Sequence, residues 1–123
     1  MVNTFAIRHL VKSAKRSKIR CKVAAIALTN NGGLLAHSNN RPFFGSKSKH
    51  TIHAEIGLIT KLKKIKAFQR YRKKITVMVL RLGKYGEFRE AKPCIMCQKE
   101  LSPYSDNLNI FYTTDGGEIE KLW

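Results

Sequence analysis

The segment AKPCIMCQKEL, residues 91–101, contains two cysteine thiols and the proline that precedes them. It places Cys94 and Cys97 on one helical turn directly after Pro93, and the chain has three cysteines in all. Proline favours the start of a helix, so the sequence predicts a short helix with both thiols in its first turn. Two thiols leave a tetrahedral zinc site two ligands short, and the remaining cysteine, Cys21, has no second cysteine near it in sequence.

We expect the missing ligand in TIHAEIG, residues 51–57, where a helical apolar pattern begins. His53 supplies an imidazole nitrogen, which gives three protein ligands and one open position, as in catalytic zinc sites. Glu55 then stays free of the metal and available to transfer protons, provided that both residues lie at the helix start. The helix dipole and zinc are expected to lower the pKa of the two thiols.

Each part of this pattern also has a simpler explanation. A lone CxxC is often a redox pair or an accident, His53 fits a surface histidine, and Glu55 fits an acid that complements the helix dipole. The combination is more specific, because H-x-E opens one helix and P-C-x-x-C opens the next about forty residues later. Together the two motifs indicate one zinc site.

The surrounding pattern predicts one α/β domain over residues 1–123, with a three-layer α-β-α arrangement and a mixed five-stranded sheet. The predicted order is α-β-β-α-β-α-β-β: a helix at 3–18, strands at 22–30 and 33–39, a loop at 39–51, a helix from Ile52, a strand at 73–83, a helix at 94–101, and strands at 108–114 and 118–122. The segment TTDGGEIEKL leaves room only for a turn, which favours an antiparallel C-terminal hairpin. The basic start also fits a mitochondrial transit peptide, although Ile7, Leu10, Val11 and Ala14 form the stripe of an ordinary helix.

Charge is the strongest signal in the composition. The chain has 24 Lys and Arg against 8 Asp and Glu, for a formal net charge of +16, and its first acidic residue is Glu55. Eight of the cations lie in KLKKIKAFQRYRKK, residues 61–74. This surplus favours a nucleic-acid partner, and the alternative is a solvated, strongly charged outer face or one that meets an acidic protein.

The odd cysteine count, with no apolar leader before it, favours an intracellular setting, cytoplasmic or nuclear, without disulfides. No apolar run is long enough to span a bilayer, so no membrane partner is expected.

H-x-E followed by P-C-x-x-C resembles the signature of the cytidine/deoxycytidylate deaminase superfamily, and the predicted element order is similar to its fold. The resemblance implies a Zn²⁺ cofactor held by His53, Cys94 and Cys97, which activates water to attack the ring carbon that bears the amino group. By the same resemblance, Glu55 carries protons from water to the ring and to the departing ammonia.

The resemblance also suggests substrate contacts. NNRPF, residues 39–43, resembles the Asn-Arg-Pro of tRNA adenosine deaminases, which implies a ribose contact from Asn40, or from Asn39 in another register; either asparagine also fits a turn former. Ala25 is expected to lie with its backbone against the base, and Ala54 is a further expected contact at the helix start. The aromatic rings of Phe43, Phe44 and Tyr112 either stack on bases or simply pack.

The C-terminal hairpin favours cytosine over adenine, because tRNA adenosine deaminases connect their last two strands through a helix. Three functions stay open: a cytosine deaminase of single-stranded DNA or RNA, a deaminase of free cytidine or its nucleotides, and a non-catalytic zinc module that binds nucleic acid. An intact Glu55 argues against the third, and the net charge argues for the first over the second.

Overall fold

The structure, a computed structural model, describes residues 4–15, 22–29, 33–42, 51–65, 75–83 and 85–123. Its helices are α1 (Thr4–Lys15), α2 (Ala54–Lys63) and α3 (Ile95–Leu101), and a 3₁₀ turn at Ser102–Tyr104 follows α3. Its strands are β1 (Lys22–Leu28), β2 (Leu34–Asn39), β3 (Arg41–Pro42), β4 (Thr51–Ile52), β5 (Ile75–Leu82), β6 (Phe88–Arg89), β7 (Leu108–Thr113) and β8 (Ile119–Leu122).

The main sheet has the strand order β2-β1-β5-β7-β8, and the short β6 also pairs with β5. Strands β5 and β7 are parallel, whereas the other neighbours are antiparallel. The mixed sheet and its five predicted strands are therefore confirmed, with β6 as a sixth strand that the sequence did not predict. The C-terminal hairpin of β7 and β8 is also confirmed. Its turn contains Gly116 and Gly117 at φ values of +93° and +87°, which residues with a side chain rarely adopt.

Three layers result from the alternation of side chains along the central strands. Ala24 and Ile26 of β1 pack with Leu10 of α1 on one face of the sheet. Ala25 and Ala27 point to the other face and belong to the cluster that includes α2 and α3. Strand β5 is buried on both faces, and each large apolar side chain buried in this way contributes about 1.5–3 kcal/mol.

Helix α2, which carries the H-x-E motif, lies very close to the sheet. A Cβ atom placed on Gly57 would clash with the hydroxyl of Ser38 on β2. The absence of a side chain at this position therefore lets the first turns of α2 rest directly on β2. This close approach fixes the height of the helix start above the sheet.

Two sequence predictions about the segment before α2 were wrong. Ile52 was assigned to the helix, but it pairs with Arg41 in the two-stranded ribbon of β3 and β4, and α2 begins at Ala54. The predicted loop at 39–51 therefore contains strand residues at both of its ends. Such short pairings depend on contacts between distant segments, which local periodicity does not report.

Several predictions fall outside the described residues: the end of the first helix, the end of the first strand at residue 30, Phe43, Phe44, and the cations at 66–74. Within the described part of the chain, no helix is long and apolar enough to cross a membrane.

Candidate functional site

The start of α2 brings His53 and Glu55 to the same side. His53 is the N-cap residue, with φ −68° and ψ 147°, so its backbone is still extended where the helix begins. Glu55 lies in the first turn and is only 6% exposed. The ribbon of β3 and β4 leads directly into His53, which ties the helix start to the end of β2. Both side chains can face one pocket because neither is in the regular helix interior.

The start of α3 positions the two thiols. Cys94 is the N-cap residue, and its sulfur accepts a hydrogen bond from the backbone N–H of Cys97 at 3.5 Å. The carbonyl of Cys94 accepts from the backbone N–H of Gln98 at 2.8 Å. The side-chain amide of Gln98 donates to the Pro93 carbonyl at 2.8 Å, which fixes the residue before the N-cap. The prediction that both cysteines lie in the first turn is confirmed.

The three side chains meet in one group whose ligand atoms all lie within 4.8 Å of one another. His53 Nδ1 lies 3.1 Å from Cys97 Sγ and 3.6 Å from Cys94 Sγ. Zn–N bonds of about 2.0–2.1 Å and Zn–S bonds of about 2.3 Å place tetrahedral ligand atoms roughly 3.6 Å apart. One imidazole nitrogen and two sulfurs at these separations fit a zinc ion that keeps one position for another ligand.

Burial controls the protonation of this group when no metal is bound. The pKa of Cys97 is raised well above its ordinary value, mainly because the thiol is buried and also because the Glu55 carboxylate is near. Without metal, Cys97 therefore does not have the lowered pKa that the helix start was expected to give, whereas the expected effect of zinc on both thiols stays a prediction. Loss of hydration and a neighbouring negative charge exceed the dipole effect of a seven-residue helix.

Burial likewise raises the pKa of Glu55, although a backbone hydrogen bond, His53 and the Cys97 thiol act in the opposite direction. A carboxyl group with a raised pKa takes up and releases a proton closer to neutral pH than an exposed one. Glu55 is thus suited to proton transfer on physical grounds that are independent of its motif.

A pocket of about 230 Å³ opens beside the thiol and imidazole group. His53, Ala54, Glu55 and Cys94 line it, so the start of α2 and the start of α3 form neighbouring walls. Cys94 is exposed at this boundary, whereas Cys97 is fully buried behind it. A ligand in the pocket can therefore reach the imidazole, the carboxylate and one of the thiols.

Two of the expected substrate contacts, Asn40 and Ala54, line this pocket. The Asn40 side-chain oxygen accepts a hydrogen bond from the Val23 N–H at 3.1 Å, and the Asn40 backbone N–H donates to the Val23 carbonyl at 3.0 Å. These bonds hold the residue after β2 against β1. Asn39 pairs with Ala24 in the sheet and does not line the pocket.

The other described candidates do not line the pocket. Ala25 is fully buried in the cluster beneath α2. Tyr112 is 5% exposed in the same cluster, and its hydroxyl donates to Glu120 on β8 at 3.1 Å. The geometry thus gives Tyr112 a packing role, and its expected stacking on a base has no support from its position.

Sequence reasoning missed the charged residues of the pocket rim. Arg81 at the end of β5, together with Glu90 and Lys92 before α3, lines the pocket. The sequence predicted a strand at 73–83 and a helix at 94–101, and it assigned no site residue between them. Alternation along β5 was the available signal for Arg81, because it places this residue on the same face as Val77 and Val79.

This chain belongs to the family described as the cytidine and deoxycytidylate deaminase zinc-binding region, whose model matches residues 2–112. The family defines a class of zinc-dependent deaminases, and the group of His53, Cys94 and Cys97 is positioned to hold the metal.

Solved structures show the same fold. Cytidine deaminase from Burkholderia pseudomallei is similar at a TM-score of 0.64 and 19% identity, over 99% of this chain and 92% of that one. Apo dCMP deaminase from the cyanophage S-TIM5 is similar at a TM-score of 0.58 and 20% identity, over 93% and 86% of the two chains. Cytidine deaminase from Mycobacterium leprae follows at 0.57 and 17%, over 93% and 87%. No curated protein matches the chain in sequence.

Proposed function

We propose that this protein converts cytosine to uracil by hydrolytic deamination, with single-stranded nucleic acid as its substrate. One observation carries the reaction: the buried Glu55 carboxyl lies beside the His53, Cys94 and Cys97 group and lines the same open pocket. A purely structural zinc site has no use for an acid next to an open position.

The residues divide the chemistry among them. His53, Cys94 and Cys97 would hold zinc, which supplies a Lewis acid that makes water a nucleophile near neutral pH. Glu55 accepts a proton from the attacking water and delivers it to the ring. It then assists the departure of ammonia, so that cytosine and water give uracil and ammonia. The raised pKa of Glu55 supports both the uptake and the release of that proton.

Metal uptake depends on the protonation of Cys97. Because burial keeps its pKa high in the metal-free protein, the thiol must lose a proton as the ion binds. Zinc affinity is therefore expected to rise with pH.

The distribution of charge supports a polymeric substrate. Lys61, Lys63 and Lys64 are exposed at the end of α2, whereas the pocket lies at its start. A helix rises by about 1.5 Å per residue, so these cations lie roughly 10–15 Å along the helix from the pocket, too far for a single free nucleoside to use all of them. Contacts with phosphates at this distance would hold a strand without reading its sequence.

The second candidate is a deaminase of free cytidine or its nucleotides. It is supported by the similarity in fold to cytidine deaminases and to a dCMP deaminase solved in complex with dCMP and dUMP. A monomeric substrate has no need of the cations at the far end of α2, which is why we favour the polymer.

Uracil formation from cytidine, dCMP, a single-stranded oligonucleotide and the matching duplex tests the proposal. We expect the single strand to be the best substrate and the duplex a poor one, because a stacked base cannot enter the pocket. Binding should weaken with salt by roughly 0.7 log unit per phosphate contacted for each tenfold increase in salt.

A variant that neutralises Lys63, Lys64, Arg72 and Lys73 should lower the rate on the oligonucleotide relative to that on cytidine; Arg72 and Lys73 lie outside the described residues. Efficient turnover of cytidine, little salt dependence and no effect of this variant would instead establish the free-nucleoside enzyme. Failure to release ammonia from any cytosine substrate by the zinc-loaded protein would refute deamination.

A further inference from the structure

The rim of the pocket contains two cations for which no ion pair is formed among the described residues. Arg81 and Lys92 both line the pocket and are exposed. Neither forms an ion pair with any acidic group in the described part of the chain. The reaction proposed for Glu55, His53 and the two thiols gives these two cations no task.

The sheet register explains why Arg81 reaches the pocket. Val23 of β1 is the direct partner of Arg81 on β5, and paired residues point to the same face of a sheet. Val23 packs against the core cluster beneath α2 and also lines the pocket. Arg81 continues the row Val77, Val79 on that face, one position beyond the core. Its guanidinium is thus directed over the site by the strand itself.

The neighbouring arginine provides a contrast. Arg89 of β6 pairs with Arg81 in register, yet its guanidinium lies 3.5 Å from Glu87 and 3.9 Å from Asp115. Arg89 therefore fastens the β5–β6 hairpin to the turn after β7. Two arginines side by side thus differ in their partners, and the one on the pocket rim is available to a ligand.

Backbone contacts hold the segment that carries Lys92. The N–H of Glu90 donates to Asp115 at 3.0 Å, and that of Ala91 donates to the Thr113 carbonyl at 2.8 Å. Lys92 follows at once and precedes the Pro93–Cys94 step into α3. Its position beside the pocket is therefore set by the sheet and by the start of α3.

We propose that Arg81 and Lys92 form a phosphate subsite at the pocket rim, which holds a phosphate of the nucleotide whose base faces Glu55. The subsite rests on the proposed deamination. A 5′-monophosphate and a backbone phosphate of a single strand offer the same chemistry: a dianion or monoanion that accepts several charge-assisted hydrogen bonds. Glu90 lies on the same rim and opposes this binding, because its carboxylate repels the phosphate.

The experiment compares dCMP, deoxycytidine and a short single-stranded oligonucleotide containing one cytosine. For Arg81→Gln and Lys92→Gln we expect the ratio of kcat/KM for dCMP to that for deoxycytidine to fall about tenfold each, since charge-assisted hydrogen bonds at an exposed rim lie at the lower end of their range. Glu90→Gln should raise the same ratio. Lys121→Gln, which removes an exposed cation on β8 outside the pocket, is the matched control and should not change it.

The substrate on which the variants lose kcat/KM identifies the source of the phosphate. A fall for dCMP alone assigns a 5′-monophosphate, a fall for the oligonucleotide alone assigns a backbone phosphate, and a fall for both means that either occupies the subsite. Zinc content, measured for every variant, must stay at the wild-type level, because Lys92 lies near Cys94. Unchanged ratios in the Arg81→Gln/Lys92→Gln double variant, on both phosphate substrates, would overturn the proposal.

A binding measurement separates this inference from the reaction itself. Zinc-loaded Glu55→Gln protein, titrated calorimetrically with dCMP and with deoxycytidine, should bind dCMP more tightly, and adding Arg81→Gln/Lys92→Gln should remove the difference. If the wild type releases no ammonia but this difference is present, deamination fails and the subsite stands. If cytosine is deaminated but Arg81→Gln/Lys92→Gln weakens the binding of neither dCMP nor the oligonucleotide, the subsite fails and deamination stands.

Discussion

Replacing Glu55 with glutamine removes a proton carrier while it keeps the size of the side chain. Glu55 is 6% exposed, so bulk water has little access to take its place. General acid–base catalysis is typically worth about 10²–10⁴-fold, or about 2.7–5.4 kcal/mol of activation free energy, and this burial places the expected loss in kcat at the upper end. The position of Glu55 outside the ligand group means that zinc content should not change.

Ammonia release from the preferred cytosine substrate measures the rate, and elemental analysis measures zinc per chain. Glu100→Gln is the matched control, because Glu100 is an exposed glutamate on α3 that does not line the pocket. It should retain the wild-type rate. A Glu55→Gln protein with full zinc and a rate within tenfold of the wild type would refute the assignment of proton transfer to Glu55.

Three further predictions concern the metal and the core. Cys97→Ser should abolish zinc binding, because a buried hydroxyl replaces a thiolate ligand; zinc at the wild-type level would contradict the ligand set. In metal-free protein, the folded pKa of Glu55 is raised above its unfolded value of 4.5. The protonated Glu55 side chain therefore stabilises the fold fully below pH 4.5, and this stabilisation is lost as the pH rises through the folded pKa. Denaturant titrations should show metal-free Glu55→Gln gaining stability over the wild type as pH rises from about 4 to 7; an equal gap at both pH values would contradict this. Ile110→Ala, at a fully buried position of β7, should lower the free energy of unfolding by about 2–5 kcal/mol, whereas the exposed Ile119→Ala should cost much less.

The parts of the site that sequence could predict depend on local rules. H-x-E and P-C-x-x-C each place their residues within one helical turn, so the motif alone determined which side chains would meet once both helix starts faced each other. The strands followed from apolar runs and from the glycine turn at Gly116 and Gly117.

The parts that sequence could not predict depend on contacts between distant segments. The ribbon of β3 and β4 and the short β6 consist of two-residue strands, whose pairing leaves no periodic pattern. The pKa of Cys97 follows from burial and from Glu55, which only the folded chain brings near. For Tyr112 the sequence left stacking and packing open, and the alternation with Leu108 and Ile110 on β7 was the unused signal for packing.

Thr113, at the end of β7, connects several parts of the site region. Its hydroxyl donates to the Arg89 carbonyl at 2.8 Å and accepts from the Arg81 N–H at 3.3 Å, while its carbonyl accepts from Ala91. One buried threonine thus joins the β5–β6 hairpin, β7 and the approach to Cys94. The position of that thiol is therefore coupled to the edge of the sheet, so a change at Thr113 reaches the hairpin and the approach to α3 together.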